Sequence, residues 1–366
     1  MRTRLRRGVE GACVRIHGRL TAKTPTFIGS GCRRINRSLQ HIPGSVLRGS
    51  IGISLIKNFC INSRFVDNHA ECKARDGCPY FEIFHRNNKG SSVIFRYAYP
   101  EHLGCKGGGV FLPEIRCVNS LGKPNIRTEK NFVCSSCGYA TLNPLNLMKM
   151  EVEDFIDKND PTAEMGFIEA IPPGSTFRLD IILEVGEKHY ADLILSTLNW
   201  TLLKAGIGRW KNMGFGRFTV NAKAEIINLD DILRRAEDID TANFSVKLIS
   251  PMIISGGGPL TPSLLLESAR RAYSKFLHHG KPSLPEVKLS RKILGVEKSG
   301  GWSLKSEKSR PVRKAVSAGS IFWFEGEKRS CELASALAAL EYYAIGSFKP
   351  HGYGQIAIGK TSATET

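Results

Sequence analysis

Hydrophobic positions along the chain switch between a period near two and a period near 3.6, and the switches come twice in the same order. Val14–Gly31 (VRIHGRLTAKTPTFIGSG) starts as a strand and runs through Thr24-Pro25 into apolar residues and glycines. Phe244–Gly258 (FSVKLISPMIISGGG) does the same through Ser250-Pro251. A helix-like segment follows each, Gly44–Phe59 and Pro262–Leu277. Pro173-Gly174-Ser175-Thr176-Phe177 and Ala318-Gly319-Ser320-Ile321-Phe322 then open the strand-like runs FRLDIILEV and IFWFEG. Next come Ala191–Ala205, with Ile194, Leu198 and Leu202 on one helical stripe, and Cys331–Ala344, with Leu333, Leu337 and Leu340. Each of these leads through a glycine-rich loop into a β-rich run, Arg217–Ile227 and Gln355–Ile358. Each half therefore reads β-α-β-β-α-β, which predicts an α+β fold of two ferredoxin-like, RRM-like domains. The polar stretch Asn228–Thr241 predicts a short joining helix and divides the chain into 1–239 and 240–366. The first domain carries an extra insertion at about 60–160, the span of the clustered cysteines.

The two glycine loops align without gaps. Residues 207–220 read IGRWKNMGFGRFTV and residues 345–358 read IGSFKPHGYGQIAI. They share Ile207/Ile345, Gly208/Gly346, Lys211/Lys349, Gly214/Gly352 and Gly216/Gly354, with aromatics in register at Trp210/Phe348 and Phe215/Tyr353. Such a match marks an internal duplication. Glycines permit positive φ and leave no Cβ between backbone and ligand, so a sugar-phosphate chain can approach the N–H groups. Arg209, Lys211 and Arg217 supply charge in the first loop, and Trp210 and Phe215 offer flat faces for bases. The second loop keeps Lys349 and adds His351 and Tyr353. The competing reading is structural: glycines at tight strand entries, aromatics in the core. A dinucleotide fold is excluded, because these glycines follow a helix and precede a strand, the reverse of the Rossmann order. No G-x-x-x-x-G-K-[ST] phosphate loop appears.

Charge points to a polyanionic partner. The 366 residues carry 52 Lys+Arg against 34 Asp+Glu, a formal charge of +18. Residues 1–70 hold thirteen basic residues with only Glu10 and Asp67 opposed, and residues 288–314 hold nine against Glu297 and Glu307. A solvated surface mixes signs, so blocks this lopsided favour phosphate contact. Trp302, with Arg310, Arg313 and Lys314 close by, adds an aromatic beside positive charge. No run approaches the roughly 18 apolar residues that cross a bilayer. The basic start Met1–Arg7 is followed by no apolar stretch, which excludes a secretory signal and a membrane partner and implies a cytoplasmic protein. Metal-free RNA cleavage needs a general base, and His17, His41 and His351 lie on the segments assigned to RNA. An endoribonuclease using His41 and His351 is thus the enzymatic alternative to simple binding. Asp67, Asp76 and Asp160 are available for metal-dependent cleavage, but nothing singles one out, and there is no G-x-S-x-G elbow.

Six of the ten cysteines fall between Cys72 and Cys137. In a reducing compartment, clustered thiols bind metal more often than one another. Cys134-x2-Cys137 is a knuckle whose two thiolates can grip one ion, and Cys72-x5-Cys78 completes a four-cysteine structural zinc site. Cys105 and Cys117 compete for these positions, and His69 or His102 can substitute. Ordinary buried or free cysteines are the alternative.

These residues resemble a known family. Ile42-Pro43-Gly44-Ser45-Val46-Leu47-Arg48-Gly49 is similar to the "IPGSxLRG" signature of the RAMP superfamily of CRISPR effector complexes, and both glycine loops resemble that superfamily's loop before its last strand. The stretch from Gly300-Gly301-Trp302 through Arg310–Arg313 to Ala315–Ser320 is similar to the C-terminal half of the type III subunits that hold the crRNA 5′ end. The cysteine-bearing insertion resembles the subtype III-D version. The resemblance implies a non-catalytic subunit that binds the crRNA 5′ tag and joins the large signalling subunit to the backbone subunits. Carried over by position, it implies that Gly44, Ser45 and Arg48 approach RNA backbone, as do the loops 206–217 and 346–354. A third possibility is a scaffold whose loops touch protein neighbours.

Overall fold

Val14, Ile16 and Leu20 alternate with polar residues and bury one face of the first strand, β1 (Cys13–Ala22). The structure is a computed structural model that describes residues 11–30, 36–60, 77–85, 91–119, 126–151, 166–277, 280, 282–300, 302–303, 308–309 and 311–360. After β1 come helix α1 (Gly44–Phe59), the short helix α2 (Pro79–His85), and strands β2 (Val93–Phe95) and β3 (Tyr99–Pro100). A three-stranded excursion follows, made of β4 (Phe111–Asn119), β5 (Ile126–Cys134) and β6 (Ala140–Thr141). Strands β7 (Met148–Glu151) and β8 (Phe167–Ala170) form an antiparallel pair. The chain then returns to the first sheet with β9 (Thr176–Glu184), α3 (Ala191–Trp200), a π turn at 201–205 and β10 (Phe218–Ile227).

The sheet order is β10-β1-β9-β2, antiparallel throughout, with Val14 opposite Leu183 and Ile16 opposite Ile181. In order of use within the half this is 4-1-3-2. The second strand, β2, lies inside the span 60–160, so that span is not one uninterrupted insertion. A three-residue strand at the sheet edge, flanked by aromatics, carries too weak a period-two signal to be read from sequence.

Helix α4 (Leu229–Glu237) joins the halves, and Asp231 accepts from the Asn228 N–H at its start, 2.9 Å away. The second half runs β11 (Asn243–Leu248), α5 (Pro262–Phe276), β12 (Val287–Ile293), the ribbon strands β13 (Val296–Ser299), β14 (Trp302–Ser303), β15 (Lys308–Ser309) and β16 (Arg313–Val316), then β17 (Ile321–Gly326), α6 (Cys331–Tyr343) and β18 (Ile356–Lys360). Thr261 and Ser330 start α5 and α6 by accepting backbone N–H bonds from Leu264 and Leu333. Its sheet order, β12-β17-β11-β18, repeats the 4-1-3-2 arrangement in reverse reading. The mixed α/β molecule is therefore built on two antiparallel sheets of matching strand order.

Two cores form. Helices α1 and α3 cover one face of the first sheet through Leu47, Ile51, Leu55, Ile194 and Leu198. The other core joins the halves: Cys13, Ile94, Ile182 and Ile227 pack with Leu337, Leu340, Phe322 and Phe324. Burying such side chains is worth about 1.5–3 kcal/mol each. At the edge of that core Asp180 takes bonds from Arg15 (2.9 Å) and Arg96 (3.0 Å), and Arg96 also donates to the Glu341 carbonyl. Among the described residues, no helix is long and apolar enough to cross a membrane.

Candidate nucleic-acid interface and metal centre

Each glycine loop connects a helix to the last strand of its sheet, and the duplication extends to the backbone. Positive φ occurs at Gly206, Gly208, Trp210, Gly214 and Gly216, and at the aligned Ala344, Gly346, Phe348, Gly352 and Gly354. Both loops are pinned alike: the Ile207 N–H donates to Gly216 at 2.9 Å and the Ile345 N–H to Gly354 at 2.8 Å. Gly216 and Gly354 in turn donate to the Pro25 and Pro251 carbonyls. The strand-to-Pro segments seen in the sequence are thus the supports of the loops. A Cβ on Gly216 or Gly354 would lie 1.8 Å from the Ile207 or Ile345 oxygen, so no other residue fits there. Gly208 packs likewise on the Phe27 carbonyl.

These glycines serve contact between backbones inside the protein, which corrects the expectation that they clear a path for ligand. Gly214 alone of the first loop's four faces open space. Trp210 and Phe215 are buried with Phe27, Ile168 and Ala170, under the β7–β8 pair, so neither offers a face to a base. Tyr353 is buried as well, its hydroxyl 2.6 Å from Ser299 Oγ. What the loops turn outward is charge. Arg209 and Arg217 are exposed, and Arg209 lies over the Trp210 ring. Lys211 is half-buried, and burial, with Lys57 adding, lowers its pKa. In the second loop Lys349 lies 3.6 Å from the Tyr343 ring centroid. Burial, then Arg271 and Lys275, bring the Lys349 pKa down to about 8. Exposed Arg313 lies 4.9 Å over Phe348, itself 40% exposed.

The second loop also meets the first half. Gly352 and Gly44 both approach the Phe95 carbonyl so closely that a Cβ on either would collide with it. Gly44 and Ser45 form the first turn of α1, and Arg48 one turn on lies over the Phe84 ring with Nη1 3.5 Å from His351 Nε2. Trp302 lies on β14 opposite Ser309. His41 packs on Tyr97 and Tyr99 with its Nδ1 buried and lacking a hydrogen-bond partner. Burial, with Lys130 adding, drops its pKa to about 3.

The cysteine expectation is corrected in its ligand set. Cys78 is buried at the start of α2, away from the knuckle, and Cys72, His69, Asp67, Asp76 and Asp160 lie outside the described residues. Cys117 sits on β4 opposite Thr128. The donors that meet are His102, Cys105, Cys134 and Cys137, all within 4.8 Å of one another. They form two x2 knuckles, one on the loop after β3 and one at the end of β5. Tetrahedral zinc with thiolates at about 2.3 Å places them about 3.8 Å apart, so the set fits a metal of that kind. Gly109 is required here, since its Cβ would lie 2.2 Å from Cys134 Sγ. Burial pushes the Cys134 thiol up, but the Cys137 and Ser136 N–H groups and the side chains of His102 and Cys137 outweigh it and hold it at about 6. Three thiolates and an imidazole complete a tetrahedral set and leave no open position, so a bound metal would be structural.

Compared with known proteins, residues 19–219 match the model of the RAMP superfamily, more than half of the chain. The chain belongs to the RAMP superfamily. Residues 229–361 of this RAMP protein match the model of the CRISPR-associated protein Cas_Cmr3. No curated protein matches it. Among solved structures, a chain of the type III-B Cmr-beta complex bound to cognate target RNA is 17% identical with a TM-score of 0.33, over 59% of this chain and 61% of that one. The RAMP protein thus spans less than two thirds of that relative. Thermus thermophilus Cas6 gives 8% identity and a TM-score of 0.42 over 96% and 100% of the two chains. A Cas6 product complex gives 11% and 0.40 over 95% and 99%.

Two features of the RAMP protein escape sequence reasoning. Phe348 is the loop aromatic that faces solvent, and its register with Trp210 was the available signal. The other is the pairing of His102 and Cys105, each of them read from sequence only as a competing or substitute ligand, into one His102-Leu103-Gly104-Cys105 knuckle. Its spacing mirrors Cys134–Cys137, a signal obscured by the more numerous cysteines around it.

Proposed function

We propose that this RAMP protein is a non-catalytic RNA-binding subunit of a type III CRISPR ribonucleoprotein. In this reading it holds the crRNA 5′ tag and joins the large signalling subunit to the backbone subunits. Its halves, 1–239 and 240–366, are read as two ferredoxin-like domains, with zinc in the cysteine-histidine cluster. The III-D-like subtype rests on the cysteine-bearing insertion. The observation that carries the RNA reading is the outward charge of the duplicated loops: Arg209 and Arg217 on the first, Arg313 stacked on Phe348 at the second. Cations interleaved with an exposed aromatic suit a single strand, with phosphate on the guanidiniums and a base on the ring. The non-catalytic reading is supported by His41, because an imidazole with a pKa near 3 is a weak proton acceptor at neutral pH.

The test is titration of the full chain with a labelled crRNA-like oligoribonucleotide at several salt concentrations. Arg209→Ala with Arg217→Ala is expected to weaken binding and to shallow the salt slope by about 1 for each phosphate no longer neutralised. An unchanged slope would overturn the reading. Cleavage of that RNA by the wild type, abolished by His41→Ala or His351→Ala, would show the chain to be an endoribonuclease instead.

A further inference from the structure

A cleft of about 400 Å³ opens beside the cysteine-histidine cluster, lined among others by Tyr139, Phe111, Asn143, Asn146, Ser175 and Thr176. That volume is in the range of small-molecule sites. Tyr139 stacks on the His102 imidazole at 5.5 Å and 26°, yet is 57% exposed, so its ring is a platform only partly covered. The platform is anchored: the Cys134 N–H donates to the Tyr139 carbonyl at 2.9 Å, within the ligand knuckle. Asn143 Oδ1 accepts from Arg37 (2.7 Å) and Gln40 (3.1 Å), which leaves its amide N–H groups as the donors available to a ligand acceptor.

Charge and position favour a nucleotide. Glu101 lines the cleft and pairs with both Arg19 and Arg178, whose side chains are 54% and 45% exposed. Two cations against one carboxylate leave the rim positive. The cleft and the first glycine loop lie at the same end of the first sheet. The Ala22 N–H donates to Ser175 O, and the Lys23 N–H donates to Arg217 O. Ser175 and Arg217 thus stand at one end of the sheet on either side of β1, about 10 Å apart at two strand spacings.

We propose that this cleft receives one unpaired nucleobase of an RNA strand crossing the first glycine loop. The base stacks on Tyr139 and accepts from Asn143, while Arg19 and Arg178 meet its phosphate. The inference rests on the RNA-binding reading and adds a base site to it, anchored through Tyr139 to the cysteine-histidine cluster.

Full-length protein is titrated with a labelled single-stranded oligoribonucleotide of mixed sequence, and metal content is measured on every variant. Tyr139→Ala is expected to weaken binding between about fivefold and about a hundredfold, the loss of one base stack, while Tyr139→Phe binds as the wild type does. Asn146→Asp places a carboxylate in the lining without touching the knuckle, and is expected to weaken binding too. If Tyr139→Ala loses metal, Asn146→Asp decides. A thiouridine-substituted strand should photo-crosslink to the peptide containing Tyr139. The inference is overturned, with the RNA reading intact, if Arg217→Ala weakens binding but Tyr139→Ala and Asn146→Asp do not. If the wild type binds no RNA, both fall.

Discussion

Trp210 and Phe348 occupy the same place in the duplicated loop and share a left-handed backbone, with φ of 55° and 59°. One is interior and the other faces solvent. Trp210 is covered by Phe27, Ile168 and Ala170, with Met148 and Met150 beside them, whereas Phe348 has the Arg313 guanidinium over its ring. Their sequence register was legible, but their opposite environments were not: the β7–β8 pair covers Trp210, whereas the corresponding β13–β16 pair packs through Ala315 on Ile253 and Tyr353 and leaves Phe348 to solvent. The two truncations should therefore separate. Trp210→Ala is expected to cost about 3–5 kcal/mol of stability, as for a large buried aromatic. Phe348→Ala should stay within about 0.5 kcal/mol, as for a surface change, and weaken RNA binding. Denaturant unfolding of both variants checks the pair; equal losses of stability would contradict the assignment.

Among elements, the hairpin β4–β5 with β6 is the one that a metal held by His102, Cys105, Cys134 and Cys137 would support. Its apolar interior is small, formed by Tyr97, Tyr99, Phe111, Phe132 and Cys134. It is tied to the second half by Glu114–Lys247 at 3.2 Å and Lys130–Glu297 at 3.0 Å. Partly exposed ion pairs of this kind contribute little. Cross-linking His102 and Cys105 to Cys134 and Cys137 would fix the hairpin to the first sheet far more firmly. Chelation is therefore expected to speed amide exchange across 99–119 and 126–141 and leave β1, β9, β11 and β17 protected. Hydrogen exchange with and without chelator measures this, and loss of protection in both sheets would refute it. The Cys134–Cys137 half of the site was readable from spacing alone. The other half was not, because a partner knuckle is chosen by which loop the sheet brings near, and the β3–β4 connection does so here.

For the molecule as a whole, the decisive junction is the face of the first sheet that meets α4 and α6. Asp180 is the polar pivot of that face. Burial alone would raise its pKa, but Arg96 and Arg15 outweigh burial and hold the carboxyl below its ordinary value of 3.8. A depressed folded pKa means that the carboxylate stabilises the fold above about pH 4, and that this is lost as pH falls through the folded pKa. Asp180→Asn leaves two guanidiniums short of their counter-charge and is expected to cost about 3 kcal/mol at neutral pH. Thermal melts of wild type and variant should converge on acidification; a gap that persists in acid would rule out the ion pair as its source. None of this junction is visible in the chain's pattern, since Arg15 and Asp180 read as the polar side of ordinary half-buried strands. The sequence by itself determined the repeated helices and most of the strands around them, though not β2, together with the duplication and the excess of positive charge, because these follow from periodicity, glycine placement and counting. Only the tertiary structure decided which glycine-loop side chains point inward, which four donors meet, and how the halves share a core. Those depend on contacts between segments far apart in the chain, and no local preference of a residue encodes its distant neighbour.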